Sequence, residues 1–302
     1  MKILITGGTG LVGKRLQKEL VNRGHTLLLA TRNPSKYQET NSIKFFGWNS
    51  SKENFPEAQL DGVDAIINLM GENIADKRWS DEQKAKLRTS RIEGTQKIAK
   101  ALANKNHHLK SFISASAIGI YPTNLEIALD ESSPKGEGFL SDLCQKWEQA
   151  ASSITHSRRN VIFRIGVVLD AKGGALGKML PIFKLGLGGP VGSGKQIMSW
   201  IHVDDLVNII SNAVEDENYQ GVYNATAPSP VSNKVFTKAL AKALSRPAIF
   251  IAPPMILKLA MGEMSTIVLD SQNVIPKRLN EMNYQFKHTD IFEALKSVVN
   301  QA

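Results

Sequence analysis

Short apolar runs alternate with longer stretches of helical spacing along the first part of the chain. The segment KILITGG is an apolar run that ends in glycine. In LVGKRLQKELVNRGH, which follows it, apolar residues recur at Leu11, Val12, Leu16, Leu20 and Val21. This spacing is typical of a helix. The beginning of the chain is therefore predicted to form a strand, a glycine turn and a helix.

The same alternation recurs further along the chain. The apolar runs are TLLLATR, GVDAIINLMG, KSFISAS and NVIFRIGVVL. Helical patterns between them extend from Ser80 to about Asn104 and from about Phe139 to Ser153. Strands that alternate with helices form a parallel sheet with both faces covered, and right-handed crossovers make the sheet doubly wound. We therefore expect an α/β fold of the Rossmann type.

The alternation lapses after Asp170, resumes in WIHVDDLVNIISNAV and GVYNATA, and then gives way to a mainly helical tail. This pattern predicts two domains. Residues 1–170 and 200–226 would form the Rossmann domain. Residues 171–199 and 227–302 would form a small, mainly helical C-terminal substrate domain.

Composition restricts the class of protein. With 302 residues, of which 42% are hydrophobic and 22% charged, the chain can bury a sizeable core. No apolar run approaches the ~18 to 20 residues that span a bilayer, and MKILITGGTG contains no extended apolar leader. We therefore expect a soluble, cytoplasmic protein without a membrane partner.

Two further counts exclude whole kinds of site. Cys144 is the single cysteine, which rules out an internal disulfide and a cysteine-based zinc cluster, and we expect no metal. The net charge of +9 could indicate a nucleic-acid partner, but lysines and arginines are spread along the chain among acids. A solvated surface and a phosphate-binding pocket explain the charge better, so no nucleic-acid partner is expected.

The chemistry begins at the first turn. TGGTGLVG places Gly7, Gly10 and Gly13 between the first strand and the first helix, with the spacing G-x-x-G-x-x-G. Glycines at this turn allow a tight bend, close approach of a pyrophosphate to the backbone and close packing of helix on strand. Turns between strands and helices often contain glycine, but this one opens a βαβ unit. The motif therefore predicts a dinucleotide site.

The end of the second strand discriminates between cofactors. An acid there would bind the ribose hydroxyls of NADH and repel a phosphate. This chain has Thr31, Arg32 and Asn33 instead. Arg32 can bind a 2′-phosphate through its forked guanidinium, and Lys36 offers a second cation. The sequence therefore favours NADP(H), with an ordinary surface arginine as the alternative.

These motifs together resemble a known family. ITGGTGLVG, NLMG, SASAIGIY, FRIGVVL and WIHVDD, in this order and spacing, resemble the extended branch of the short-chain dehydrogenase/reductase superfamily. GENIADKRWSDEQKAKLRTSRIEGT and GLGGPVGSGKQIMSWIHVDDL are similar to an atypical subgroup of epimerase-family, or nucleoside-diphosphate-sugar epimerase-like, proteins. The resemblance covers most of the chain and implies an NADP-dependent oxidoreductase or an epimerase-like protein.

The resemblance also implies which residues bind the cofactor. The glycine turn would line the pyrophosphate, the end of the second strand would hold the adenosine phosphate, and the end of the fourth strand would pack along the adenosine. An arginine and a valine would reach the cofactor from elsewhere, although apolar members of the set could equally belong to the core. The residues are Gly7, Thr9, Gly10, Leu11, Val12, Gly13, Thr31, Arg32, Leu69, Met70, Gly71, Arg91 and Val168.

The catalytic positions depart from the superfamily pattern. Ser116 matches the catalytic serine or threonine at the end of the fifth strand, although a capping or turn role is also open. The superfamily's tyrosine, and the lysine four residues later, are expected in LSDLCQKWE, where Leu140 and Cys144 stand. A helical wheel places both on a stripe that faces the core, while Lys146 and Glu148 are expected to point elsewhere.

Two classes of function remain open. The first is an NADPH-dependent oxidoreductase or epimerase with an unidentified small polar substrate, whose proton would come from Ser116 or Tyr121. The GENIADKRW loop and an apolar wall would hold that substrate, although a solvated surface loop is the alternative. The substrate residues would be Glu72, Asn73, Arg78, Trp79 and Trp200. The second class is a non-catalytic NADPH-sensing regulatory protein; the sequence leaves its partner, and any homo-oligomer, undetermined.

Overall fold

Seven parallel strands form the central sheet of the computed structural model, which describes residues 1–301. The strands of the chain are β1 (Lys2–Thr6), β2 (Thr26–Thr31), β3 (Ile43–Gly47), β4 (Ala65–Asn68), β5 (Ser111–Ala117), β6 (Asn160–Ile165), β7 (Val167–Leu169), β8 (Ile197–Met198), β9 (Trp200–His202), β10 (Gly221–Ala225) and β11 (Val231–Ser232). The sheet has the order β10-β6-β5-β4-β1-β2-β3. Every pairing in it is parallel, which confirms the predicted Rossmann-type sheet.

Helices cover both faces of this sheet. The helices of residues 1–301 are α1 (Leu11–Asn22), α2 (Asp81–Arg88), α3 (Gly94–Asn104), α4 (Phe139–Ser152), α5 (Gly174–Lys184), α6 (Val203–Glu215), α7 (Asn233–Leu244), α8 (Pro254–Met261), α9 (Thr266–Leu269), α10 (Lys277–Glu281) and α11 (Ile291–Asn300). A π-helical turn, Thr89–Glu93, joins α2 to α3, so the long helix predicted from Ser80 is continuous but locally widened. No helix within residues 1–301 has the length and hydrophobicity needed to cross a bilayer.

The apolar periodicity of the helices explains how they pack. Leu16 and Leu20 of α1 pack with Ile209 of α6 in the core on one face of the sheet. Ile98 and Leu102 of α3 belong to a second core on the other face. All five side chains are completely buried. Each helix thus covers the sheet with the apolar stripe that its sequence shows.

A third core forms away from the sheet. It is enclosed by α5, α7 and α11 and includes Leu176, Phe183, Phe236 and Leu295. The C-terminal part of the chain is mainly helical, as expected. Leu279 of α10, however, packs into the sheet core next to α1 and α6. The division into residues 1–170 with 200–226 and residues 171–199 with 227–302 stays a prediction.

The sheet order fixes where a ligand can bind. Strand β1 pairs with β2 on one side and with β4 on the other, and the chain moves outward in both directions. Thr6 of β1 is level with Ala30 of β2 and Asn68 of β4, so the three strands end at one edge. Ligands of open α/β sheets bind in the crevice at this kind of switch point.

Candidate functional site

The glycine turn between β1 and α1 has the geometry of an anion site. Gly7 has a φ of +70°, and a Cβ built on it would lie 2.5 Å from the carbonyl oxygen of Leu69. A Cβ on Gly13 would collide with the backbone of Gly8. Helix α1 begins after Gly10 without a side-chain cap and without an acid in its first turn. Its first N–H groups therefore remain available to a phosphate, which the helix dipole also favours.

A cavity of about 420 Å³ opens at the carboxyl ends of β1, β2 and β4. Eight residues predicted to bind the cofactor line it: Gly7, Thr9, Gly10, Thr31, Arg32, Leu69, Met70 and Gly71. Leu11 lies in an adjoining groove. Val12, Gly13, Arg91 and Val168 are outside the lining, and Val12 and Val168 pack against the sheet core. Most of the predicted cofactor positions thus converge on one cavity.

One wall of the cavity was not predicted from the sequence. It follows β3 and consists of Trp48, Asn49, Ser50 and Ser51. Trp48 is buried against Phe55, and within residues 1–301 its indole N–H has no acceptor. A buried N–H without a partner carries an energetic cost. The apolar run IKFFG followed by polar WNSS was the available signal for a strand ending at this edge.

Free positive charge marks the end of the cavity beside β2. Arg32 and Lys36 both line it and are exposed. Glu72 is the one acid in the lining. In the part of the chain that the structure describes, no salt bridge engages either cation. The arrangement can bind a phosphate through two cations.

Arg91 provides another unpaired cation, from inside the protein. Its guanidinium carbon lies 5.2 Å from the centre of the Trp147 ring, and Nη1 makes one long hydrogen bond, 3.5 Å, to the Leu87 carbonyl. A Cβ on Gly71 would lie 2.8 Å from the same carbon. Burial lowers the pKa of Arg91. This effect is larger than the opposite effect of the nearby Glu72 carboxylate. The π-helical turn therefore holds a cation beside the end of β4, and such turns are frequent at functional sites.

Ser116 and Tyr121 belong to a buried polar network. Ser116 Oγ donates to Glu148 Oε1 at 2.8 Å, and Arg164 binds both carboxylate oxygens of Glu148 at 2.8 Å. Arg164 Nη1 also donates to the Tyr121 hydroxyl at 2.7 Å, and that hydroxyl donates to Asn224 Oδ1 at 2.7 Å. The expectation that Glu148 points away from the core is wrong. Its carboxylate is buried because Arg164, on β6, neutralises it there.

The loop predicted to hold the substrate folds back on the protein. Trp79 is buried, donates from Nε1 to the Ile74 carbonyl at 2.9 Å and packs on Phe139. Asn73 Oδ1 accepts from the Ala75 N–H at 3.0 Å. Arg78 is exposed and lies against Gly262. Only part of this loop is therefore free to meet a ligand.

The structure separates Trp200 from this loop. Trp200 is completely buried in the third core, and its Nε1 donates to the Ser229 carbonyl at 3.0 Å. The expectation that it lines an apolar wall of the substrate cleft is wrong. Its position in β9 directs it into the core formed with α5 and α7. Glu72, by contrast, lines the cofactor cavity.

Comparison with known proteins identifies the family of this chain. A family model described as the NAD dependent epimerase/dehydratase family matches residues 3–226, more than half of the chain. The chain belongs to this family. A second model, a domain of unknown function named DUF1731, matches residues 252–298. The family match ends just after β10, the last strand of the sheet.

Relatives support the assignment to the epimerase family. The mouse epimerase family protein SDR39U1 is 38% identical over 303 residues, covering 99% of this chain and 100% of its own. A chloroplastic homologue from Arabidopsis thaliana is also 38% identical, over 99% of this chain and 87% of its own. These proteins carry the same family description, and it names no substrate.

Solved structures agree on the fold. Human epimerase family protein SDR39U1, crystallised with NADPH, superimposes with a TM-score of 0.88 at 35% identity and covers both chains completely. UDP-glucuronic acid 4-epimerase from Bacillus cereus, in complex with UDP-glucuronic acid and NAD, has a TM-score of 0.78 at 18% identity over 100% of this chain and 99% of its own. The second likeness concerns the fold alone. The expected resemblance to extended short-chain dehydrogenases is confirmed.

Within this epimerase family chain, α4 carries Leu140 and Cys144 at the two positions where a tyrosine and a lysine were expected from the resemblance. Leu140 is half-buried, and Cys144 is 4% exposed. A Cβ on Gly119 would lie 3.5 Å from Leu140 Cβ and 3.9 Å from Cys144 Sγ, so both side chains pack beneath the turn after β5. Burial raises the pKa of the Cys144 thiol to about 12. Neither residue can exchange a proton near neutral pH.

Proposed function

We propose that this epimerase family protein binds NADPH at the carboxyl edge of its sheet and uses it as an oxidoreductase or epimerase on a small polar substrate. The observation that most directly supports this proposal is the free positive charge of Arg32 and Lys36 at the end of β2. A 2′-phosphate would meet both cations there, whereas NADH offers them no anion. The NADPH-bound human relative, 35% identical over its whole length, supports the choice.

The residues present fit the cofactor. The first turn of α1 offers free N–H groups to a pyrophosphate, and Trp48 forms part of the cavity wall after β3. Within the proposal, the binding residues are Gly7, Thr9, Gly10, Leu11 and Val12 for the pyrophosphate, with Gly13 in the same glycine motif, Thr31 and Arg32 for the adenosine phosphate, Leu69, Met70 and Gly71 along the adenosine, Arg91 reaching the cofactor, and Val168 near the nicotinamide. NADPH, when bound, supplies a hydride.

The chain's own residues then bind and orient the substrate. Glu72 lies at the rim of the cofactor cavity, where it can accept hydrogen bonds from substrate hydroxyls. Arg78 is exposed and can bind a carboxylate or phosphate, while Asn73 adds an amide N–H₂ group. Trp79 supports the loop from behind. The substrate would thus be polar and would carry an anionic group.

The buried network limits how a proton could move. The Tyr121 hydroxyl already donates to Asn224 and accepts from Arg164. Burial raises its pKa, against the smaller opposing effect of Arg164. These contacts favour a positioning role for Tyr121. Ser116, at the end of β5, keeps free acceptor capacity after donating to Glu148 and is the better candidate to contact a substrate hydroxyl.

A non-catalytic NADPH sensor is the second candidate, and one observation favours it. Leu140 and Cys144 replace the proton-transferring pair, and the hydroxyl hydrogens of Ser116 and Tyr121 both point to buried acceptors. A protein that had lost its chemistry but kept its cofactor would show this combination. In that case the loop of residues 72–79 would report cofactor occupancy to a partner.

One assay separates the two candidates. The absorbance of NADPH is followed in the presence of carbonyl metabolites and nucleotide sugars, and nucleotide-sugar epimers are separated chromatographically with bound cofactor. Turnover that falls in Ser116→Ala while NADPH affinity stays unchanged supports the enzyme. If nothing is converted and a partner protein binds only the NADPH-loaded form, the sensor replaces it. NADPH that fails to bind at all refutes both.

A further inference from the structure

Exposed apolar side chains concentrate in one part of the surface. Among residues 1–301, fourteen large hydrophobic side chains are exposed, and nine of them lie in two segments, 182–187 and 249–259. These nine are Ile182, Leu185, Leu187, Ile249, Phe250, Ile251, Met255, Ile256 and Leu259. We call residues 182–187 and 249–259 the apolar face. Contiguous exposed apolar surface of this kind marks an interaction site.

Backbone contacts hold the two segments side by side. Arg246 Nε donates to the Lys184 carbonyl at 3.0 Å, and the Phe250 N–H donates to the Gly188 carbonyl at 3.3 Å. Further on, the Ala252 N–H donates to the Pro190 carbonyl at 2.9 Å. The end of α5 and the strip that leads into α8 therefore form one continuous surface.

Helix α8 adds to this surface, and none of its residues is fully buried. Met255, Ile256 and Leu259 occupy positions i, i+1 and i+4, which lie on one side of a helix, and they are 83%, 61% and 80% exposed. Leu257 and Met261 are half-buried and hold the helix on the protein. Lys258 is its one charged residue. The outward side of α8 is therefore apolar without a covering element.

The two stretches of chain that carry the apolar face contain bases but no acids. Residues 171–203 and 218–262 contain no aspartate and no glutamate, but they carry nine lysines and arginines. The net charge of the whole chain is also +9, so the rest of the chain has equal numbers of acids and bases. The expectation that lysines and arginines are spread among acids is therefore wrong for these two segments. Lys178 alone among the nine forms a salt bridge within residues 1–301, with Asp76.

We propose that the apolar face docks on the surface of an anionic lipid bilayer. Apolar side chains of this size can enter the boundary between head groups and acyl chains, while flanking lysines meet anionic head groups. A second copy of the chain fits less well, because association through this face would bring two acid-free, cationic segments together. The expectation of no membrane partner rested on the lack of a spanning segment, which surface docking does not require.

Vesicle sedimentation of the full chain tests this proposal. The wild type should sediment with vesicles of phosphatidylcholine and phosphatidylglycerol, should do so far less with phosphatidylcholine alone, and should be released by high salt. The double variant Met255→Ser/Leu259→Ser should lower the bound fraction about tenfold or more. Ile127→Ser is the matched control, because Ile127 is 63% exposed but lies outside the apolar face. It should leave vesicle binding unchanged.

Two measurements keep the result interpretable. NADPH affinity and thermal unfolding of each variant should equal those of the wild type, since the substituted side chains make no core contacts. Sedimentation velocity without lipid tests self-association. If the wild type ignores anionic vesicles, or if the double variant instead dissociates a dimer, the proposal is wrong. Vesicle binding that survives Lys184→Glu/Lys258→Glu would contradict its electrostatic part.

Discussion

At the scale of single residues, the site is defined by positive charges that lack partners. Arg32 and Lys36 are exposed at the tip of β2, and Arg91 is held inside a π-helical turn with one long hydrogen bond. For Arg91, which is largely withdrawn from water without a counterion, the charge is unfavourable unless a ligand compensates it. These residues should therefore report on cofactor binding more sharply than on stability.

Arg32→Ala should weaken NADPH binding by about 1.5 to 3 kcal/mol, the range for a hydrogen bond that involves a charged group. NADH binding should change little, because NADH has no 2′-phosphate for the guanidinium. Titration of wild type and variant with both cofactors, followed by fluorescence, measures the difference. Equal affinities of the wild type for NADPH and NADH would contradict the assignment.

Arg91 should supply the positive charge that the superfamily's lysine would place on α4. The Arg91 guanidinium lies against Gly71, which lines the cofactor cavity. Arg91→Ala should therefore weaken NADPH binding by about tenfold, and adding Cys144→Lys should restore part of it by delivering an ammonium from α4. Cofactor titration measures both effects.

The control for this exchange is Arg91→Ala combined with Cys144→Leu. Leucine enlarges the side chain at the same buried position without adding a charge, so it should not restore binding. Urea unfolding of each variant separates loss of affinity from loss of fold. Unchanged affinity in Arg91→Ala would show that the cation does not serve the cofactor.

At the scale of elements, the ion pair of Glu148 and Arg164 joins α4 to the sheet. Both side chains are less than one-tenth exposed, and the two carboxylate oxygens each lie 2.8 Å from a guanidinium nitrogen. The same pair anchors Ser116 and, through Arg164, Tyr121. The orientation of the turn after β5 therefore depends on one carboxylate from α4.

Glu148→Gln should destabilise the fold by about 3 to 5 kcal/mol, because it leaves the buried charge of Arg164 without its counterion. Lys146→Gln is the matched control on the same helix. Lys146 is exposed and pairs with Asp142 at i and i+4, so its loss should change stability by less than about 0.5 kcal/mol. Urea unfolding measures the stability of both variants. Equal losses of stability would mean that the buried ion pair contributes no more than the exposed one.

At the scale of the whole molecule, the start of α6 joins the sheet to the C-terminal segment. His202 Nδ1 caps α6 by accepting from the Asp204 N–H at 3.1 Å, and its ring stacks on His288 with a centroid distance of 3.6 Å. The Asp205 carboxylate accepts from the N–H groups of Lys287 and His288. Distant parts of the chain thus meet around a buried, neutral imidazole.

Stability should fall in mild acid because of His202. Burial, helped by the nearby His288, lowers its pKa to about 4, below the ordinary value of 6.5. The unfolded chain therefore binds more protons between these values, and about 2 to 3 kcal/mol of stability should be lost as the pH falls from about 6.5 to about 4. Above pH 6.5 the contribution is fully present.

His202→Asn provides the comparison for this pH dependence. Asparagine can still cap α6 but does not titrate in this range, so the variant should lose less stability between pH 7 and about 4.5 than the wild type. Urea unfolding at several pH values gives the two slopes. Parallel slopes would assign the acid sensitivity to other groups.

Local rules were sufficient for the Rossmann sheet and for the cofactor edge. Continuous apolar runs, which are typical of parallel strands buried on both faces, and helices of period 3.6 specify which surfaces must be buried. Gly7 is required by its own backbone angle and by the approach of Leu69. The charge at Arg32 follows from its place after β2. Each of these features depends on neighbours in sequence or on a single strand pairing. They can therefore be predicted from the sequence.

Other features depend on residues far apart in the chain, which no local pattern records. Glu148 was assigned to the outside of α4 because its own helix cannot show Arg164, which lies on β6 and neutralises it. Trp200 was assigned to a cleft because its burial depends on α5 and α7. Trp48 joined the cavity only when β3 paired with β2. Long-range packing decides such side chains, because burial and charge compensation are properties of the assembled neighbours and not of the local sequence.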